Sequence, residues 1–151
     1  MKPTRIPVLV ALAALAGVVA YLLTSNFYAD LPALPLYGPV FLVVLAAAEG
    51  YTAATTKARL EGRPRTQPIH PITVARIAAL AKATSPVAAL AAGAYAGCLG
   101  YVARLDGPHP ADDLRTSIVG VVASVLLVVA ALAMERVCRV KTPPGDDVVA
   151  G

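Results

Sequence analysis

Four long apolar runs, each broken off by charge and proline, set the pattern of this chain: residues 6–23, 36–48, 83–102 and 116–134. Alone or with its flanks, each run is long enough to cross a hydrocarbon layer of about 30 Å. A surface helix of a soluble domain sets an apolar stripe against a polar face, and these runs do not. The pattern predicts an all-α fold: an integral membrane, antiparallel four-helix bundle with spans at about 6–27, 35–56, 73–102 and 116–137. Residues 1–141 then form a single transmembrane domain. The tail, 142–151, begins Thr-Pro-Pro-Gly-Asp-Asp and reads as a disordered cytoplasmic segment.

The segments between spans are proline-rich and stop the helices. Pro32 and Pro35 punctuate the first, Pro64, Pro68 and Pro71 the second. The third contains Leu-Asp-Gly-Pro-His-Pro, which is turn chemistry. Asp112 and Asp113 then precede the fourth span and suit the positive end of its dipole.

Composition agrees with the pattern. The chain of 151 residues is 58% hydrophobic and only 15% charged, so the net charge of +4 belongs to the loops. Basic loops point to topology signals and anionic lipid rather than nucleic acid. With the N-terminus placed in the cytoplasm, Lys2, Arg5, Lys57, Arg59, Arg63, Arg65, Arg136, Arg139 and Lys141 fall on the cytoplasmic side, against Arg104 and Arg115 outside. Nine against two predicts cytoplasmic N- and C-termini in a cell inner (plasma) membrane protein. Of these, Lys57, Arg59, Arg63, Arg65, Arg139 and Lys141 are candidates for contact with anionic lipid head groups. The N-terminus also imitates a signal peptide, with Val18-Val19-Ala20 as a passable cleavage site, but the uncharged stretch runs on to Ala29 and favours a retained helix.

Helices in lipid associate where small residues let backbones approach. In the third span Ala89, Gly93 and Gly97 are four apart and include a GxxxG. The fourth aligns Ser117, Ser124, Ala131 and Glu135, and the first aligns Ala13, Gly17, Ala20 and Thr24. The GxxxG serves either packing within the bundle or a homodimer.

Charges inside spans are costly and mark a partner or a function. Glu49, seven residues before a second span ending near Thr56, lies roughly 10 Å from the cytoplasmic edge. Lys82 lies at a similar depth with opposite sign, so a Glu49–Lys82 pair inside the bundle is expected. Arg76 and Glu135 form a second possible pair near the edge. Pro86 lacks the N–H that would bond the Lys82 carbonyl, which predicts a helix kink there. A small polar pocket at the kink and a merely structural ion pair both fit.

Catalytic and cofactor signatures are missing: no GxGxxG, no GxxxxGK[ST], no HExxH and no CxxC. His70 and His109 fall on opposite sides of the membrane and cannot share a metal. Cys98 and Cys138 lie at opposite ends of neighbouring spans and are expected as free thiols. No metal or cofactor is therefore expected.

Pro3-Thr4-Arg5, Ala48-Glu49, Ala75-Arg76 with Ala79-Leu80-Ala81-Lys82-Ala83, Gly93-Ala94-Tyr95-Ala96-Gly97 and Glu135 follow in order along the chain. In these segments it resembles the actinobacterial membrane family catalogued as domain of unknown function 3180. The resemblance implies a four-span membrane protein. It implies genes that often neighbour folate-biosynthesis genes, and no assigned activity. Three functions remain open at this level: a non-enzymatic accessory or interaction protein that binds a membrane partner or its own copy, a small carrier or channel-like protein using Glu49 and Lys82, and a lipid-modifying enzyme.

Overall fold

A computed structural model describes residues 5–28, 34–60, 71–106 and 108–138. Lys2, Arg63, Arg65, His70, Arg139, Lys141 and the 142–151 tail lie outside the described residues. Four helices follow in order: α1 (Ile6–Phe27), α2 (Tyr37–Leu60), α3 (Pro71–Val102) and α4 (Pro108–Cys138). All four are long and apolar enough to cross a membrane.

Helix starts follow proline chemistry. Pro7 sits in the first turn of α1, where no intrahelical N–H bond is lost. Pro71 and Pro108 open α3 and α4. α4 thus starts eight residues before the expected 116, because Pro108 and Pro110 are tolerated in a first turn. Asp112 and Asp113 consequently fall beyond the first turn, where the helix dipole has weakened, and Asp113 takes other partners. α2 continues past Thr56 to Leu60. α3 remains helical through Pro86.

The packing inverts a soluble protein's. Most buried positions are small or polar, among them Ala81, Ser85, Ala88, Ser117, Ala123, Ser124 and Ala131, with Leu9, Val102, Leu127 and Met134 the larger exceptions, while Leu15, Val18, Phe41, Val44 and Val129 face outward. Large apolar side chains cost nothing in lipid, and close backbone approach is what holds such helices together. Three pairs pack extensively: α1 with α3, α3 with α4, and α4 with α2. The helices therefore stand in the order α1–α3–α4–α2.

The α1–α3 contact is backbone on backbone. A Cβ on Gly93 would collide with the Ala13 carbonyl, and one on Gly97 with the Gly17 carbonyl and the Tyr21 amide. The GxxxG is thus occupied within the chain. The other side of the same turn carries Tyr95, whose ring lies against Gly120 of α4 and whose hydroxyl reaches Gly38 of α2. A second cluster, Ala53, Ala81 and Met134, joins α2, α3 and α4 at the opposite end. Cys98 and Cys138 are free thiols.

Candidate intramembrane polar site

α2 turns Glu49, Ala53 and Thr56 inward along one stripe. Glu49 is 3% exposed and lies ten residues before the end of the apolar stretch Tyr37–Arg59. At 1.5 Å per residue that is about 15 Å along the axis, further from the helix end than expected because α2 runs one turn further. Neither Glu49 Oε1 nor Oε2 has a hydrogen-bond partner. Thr84 of α3 stands beside the carboxylate, but its hydroxyl donates to the Leu80 carbonyl at 3.0 Å. Ser85 likewise donates to the Ala81 carbonyl at 2.8 Å. The hydroxyls around Pro86 thus turn back on their own helix and leave Glu49 without a donor.

Among the described residues no hydrogen bond joins Lys82 to Glu49. The Lys82 side chain is exposed. The reason lies in where α1 begins. Gly93 faces Ala13 and Gly97 faces Gly17, an offset of 80 in both cases, so the two helices advance together. Carried down to Lys82, that offset gives position 2, whereas α1 starts at Ile6. Lys82 shares the face of Ala89 and Gly93 but lies beyond the end of the helix that covers it. Arg76 is exposed on α3, and Glu135 is half-buried on α4 with Oε2 shielded and lacking a hydrogen-bond partner. On α4, Ser117, Ser124 and Ala131 are fully buried. Ser124 donates to the Gly120 carbonyl at 2.7 Å, while the Ser117 hydroxyl has no partner.

A second polar cluster, not anticipated from sequence, closes the other end of the bundle. Buried Asp113 accepts from the Tyr28 hydroxyl at 2.9 Å and from the Leu34 amide at 2.8 Å. It thereby ties the end of α1 and the approach to α2 onto α4. Tyr101 meets Tyr28 and Tyr21 edge to face, with ring centroids 5.6 Å and 6.0 Å apart. Arg104 donates to the Tyr21 hydroxyl at 3.3 Å and lies 6.0 Å from its ring centre. Desolvation, then the hydrogen bond and charge of Asp113, push the Tyr28 phenol up to about 12. Three tyrosines at the same ends of two spans were the available signal, since tyrosine favours membrane interfaces.

No curated protein and no solved structure matches the chain. A family model does, over residues 9–142. That span takes in all of α2, α3 and α4, Glu49, Lys82 and the Gly93–Gly97 contact, and by it the chain belongs to the family described as a protein of unknown function, DUF3180.

Proposed function

We propose that the protein is a non-enzymatic membrane accessory protein, an antiparallel four-helix bundle with both termini cytoplasmic, that receives a partner's transmembrane helix on the outer face of α2. The observation that carries this reading is the stripe Tyr37, Phe41, Val44 and Tyr51, which share one exposed face of α2, away from Glu49 and Ala53. Tyr51 is 72% exposed within an apolar stretch. Lipid tails offer its hydroxyl no acceptor, and tyrosines at apolar contacts satisfy theirs with a partner. α2 stands at one flank of the helix order, so this face is open to a neighbour. The orientation rests on the nine-to-two basic bias. Lys57 and Arg59 in the last turn of α2 would then meet anionic head groups.

A photoreactive side chain at position 51 in intact cells tests the reading. It should yield a protein adduct of one mass that is absent from position 129 on α4 and lost when Phe41 is changed to Ala. Lipid adducts alone from position 51 would reject it.

The buried Glu49 supports a second reading, a small carrier that loads a proton or cation on that carboxyl. Intramembrane carboxyls mark such pathways by default. Proteoliposomes should show a flux that Glu49→Gln abolishes; equal flux in the two proteins would exclude Glu49 from any pathway.

A further inference from the structure

We propose that the groove bounded by α1, α3 and α4 holds one acyl chain of an anionic phospholipid, whose phosphate rests on Arg104. The groove has a volume of about 740 Å³, within the size range of small-molecule sites. Its floor is Ala92, Ala96 and Gly100, four apart on α3, and its walls include Val10 and Val18 of α1 and Val125 of α4. Among the described residues no charged side chain lines it. From Val10 to Leu22 the α1 wall runs twelve residues, about 18 Å at 1.5 Å per residue, comparable to one leaflet of a layer about 30 Å thick.

Gly93 and Gly97, which also border the groove, make the close backbone contact with α1, while Ala92, Ala96 and Gly100 lie one residue round the helix, with Ala96 and Gly100 exposed.

Charge selects the occupant. Tyr21 lines the groove near one end, and there Arg104 donates to its hydroxyl and lies over its ring. The guanidinium is thus held beside the groove, on an exposed residue with further N–H donors to offer. The neighbouring acids do not occupy it: Asp113 accepts from Tyr28 and Leu34, and Asp112 lies 3.9 Å from Arg115. Asp106, exposed two residues away, is the remaining competitor. An apolar helix laid in the groove would leave the guanidinium without a counter-charge. A phospholipid supplies the chain and the phosphate in one molecule, and guanidinium and phosphate match in geometry.

Native mass spectrometry of the full chain, released from nanodiscs with equal phosphatidylglycerol and phosphatidylcholine, tests this. The wild-type protein should retain one lipid, mainly phosphatidylglycerol. Arg104→Gln should lower that preference about fivefold, the ratio equivalent to the roughly 1 kcal/mol a basic side chain gains at an anionic surface. Ala96→Leu, which fills the floor, should remove both lipids. Val125→Phe fills the groove from α4 and should do the same, which separates loss of the site from misfolding of one variant. Unchanged retention in the two groove-filling variants overturns the site. Unchanged head-group preference in Arg104→Gln overturns the role of the arginine. A wild-type dimer that both groove-filling variants convert to monomer would assign the groove to a second copy instead.

Discussion

One methyl group, placed at two glycines, should move stability in opposite directions. Gly50 has nothing within 4 Å of the position a Cβ would take. Gly50→Ala therefore only exchanges a poor helix former for a good one and should stabilise α2 by about 0.5–1 kcal/mol. Gly93→Ala gains the same propensity but directs its methyl into the Ala13 carbonyl, carbonyl carbon and Cα. All three are backbone atoms, so no side-chain rotation relieves the clash and α1 must move away from α3. Overpacking of this kind costs roughly 1–3 kcal/mol. The net effect is a loss of up to about 2.5 kcal/mol, and the difference between the two variants is about 1–3 kcal/mol. Unfolding titrations in mixed micelles with a denaturing detergent read both values on the same scale. The separation should also lengthen the 3.4 Å contact between the Thr24 hydroxyl and Cys98 further up the same interface, which raises the reactivity of Cys98 toward a maleimide. Equal shifts for the two variants, or an unchanged Cys98, would refute the claim that backbone contact at Gly93 holds α1 in place.

Four further outcomes follow from the polar groups. Glu49→Gln should change stability by less than about 1 kcal/mol, because no hydrogen bond to its carboxylate is lost, whereas a broken buried pair would cost about 3–5 kcal/mol; unfolding titration of the single variant decides. Asp113→Asn should lower the Tyr28 titration from about 12 part of the way toward the ordinary 10, since burial, the largest cause, stays; carbon-13 tyrosine NMR follows it. Because the fold favours the neutral phenol, the Tyr28 contribution to stability is fully present below pH 10 and is lost as the pH rises toward about 12; a variant with Tyr28→Phe should lack that alkaline loss. Thr24→Cys should form an intramolecular disulfide with Cys98 under mild oxidation, given the 3.4 Å contact and the reach of a disulfide; loss of two hydrogens in the intact mass checks it, and a covalent dimer instead would count against the α1–α3 register.

The helices were legible because lipid makes apolar length nearly sufficient evidence for a span. The inward faces were legible too: Ser117, Ser124 and Ala131 repeat at seven and are all buried, and Gly93 and Gly97 meet α1. The exposure of Lys82 was not legible, because α1 starts at Ile6 and α3's own sequence does not say where its neighbour begins. The Asp113 cluster escaped for a related reason. Pro108 begins α4 early and turns an expected capping residue into an acceptor for groups from two other segments. Tyr95 stands between the two small residues that drew attention to the motif, and only the glycines it meets, Gly38 and Gly120, reveal its place.

The order α1–α3–α4–α2 has a consequence for biogenesis. Synthesis delivers both outer helices before either central one, and the first two spans share no extensive interface. In the finished fold each is held by a different central helix, α1 by α3 and α2 by α4. The contacts of α1 and α2 with the rest of the bundle are therefore completed only once α3 and α4 exist, which bring Gly93 and Gly97 to α1 and Met134 to Ala53 of α2. Asp113, arriving last of the groups at its end, fastens the α1–α2 connection over the newcomer. The second half of the chain is thus the organiser of the first, and a translation product truncated before residue 108 would leave two inserted helices with only α3 to hold one of them.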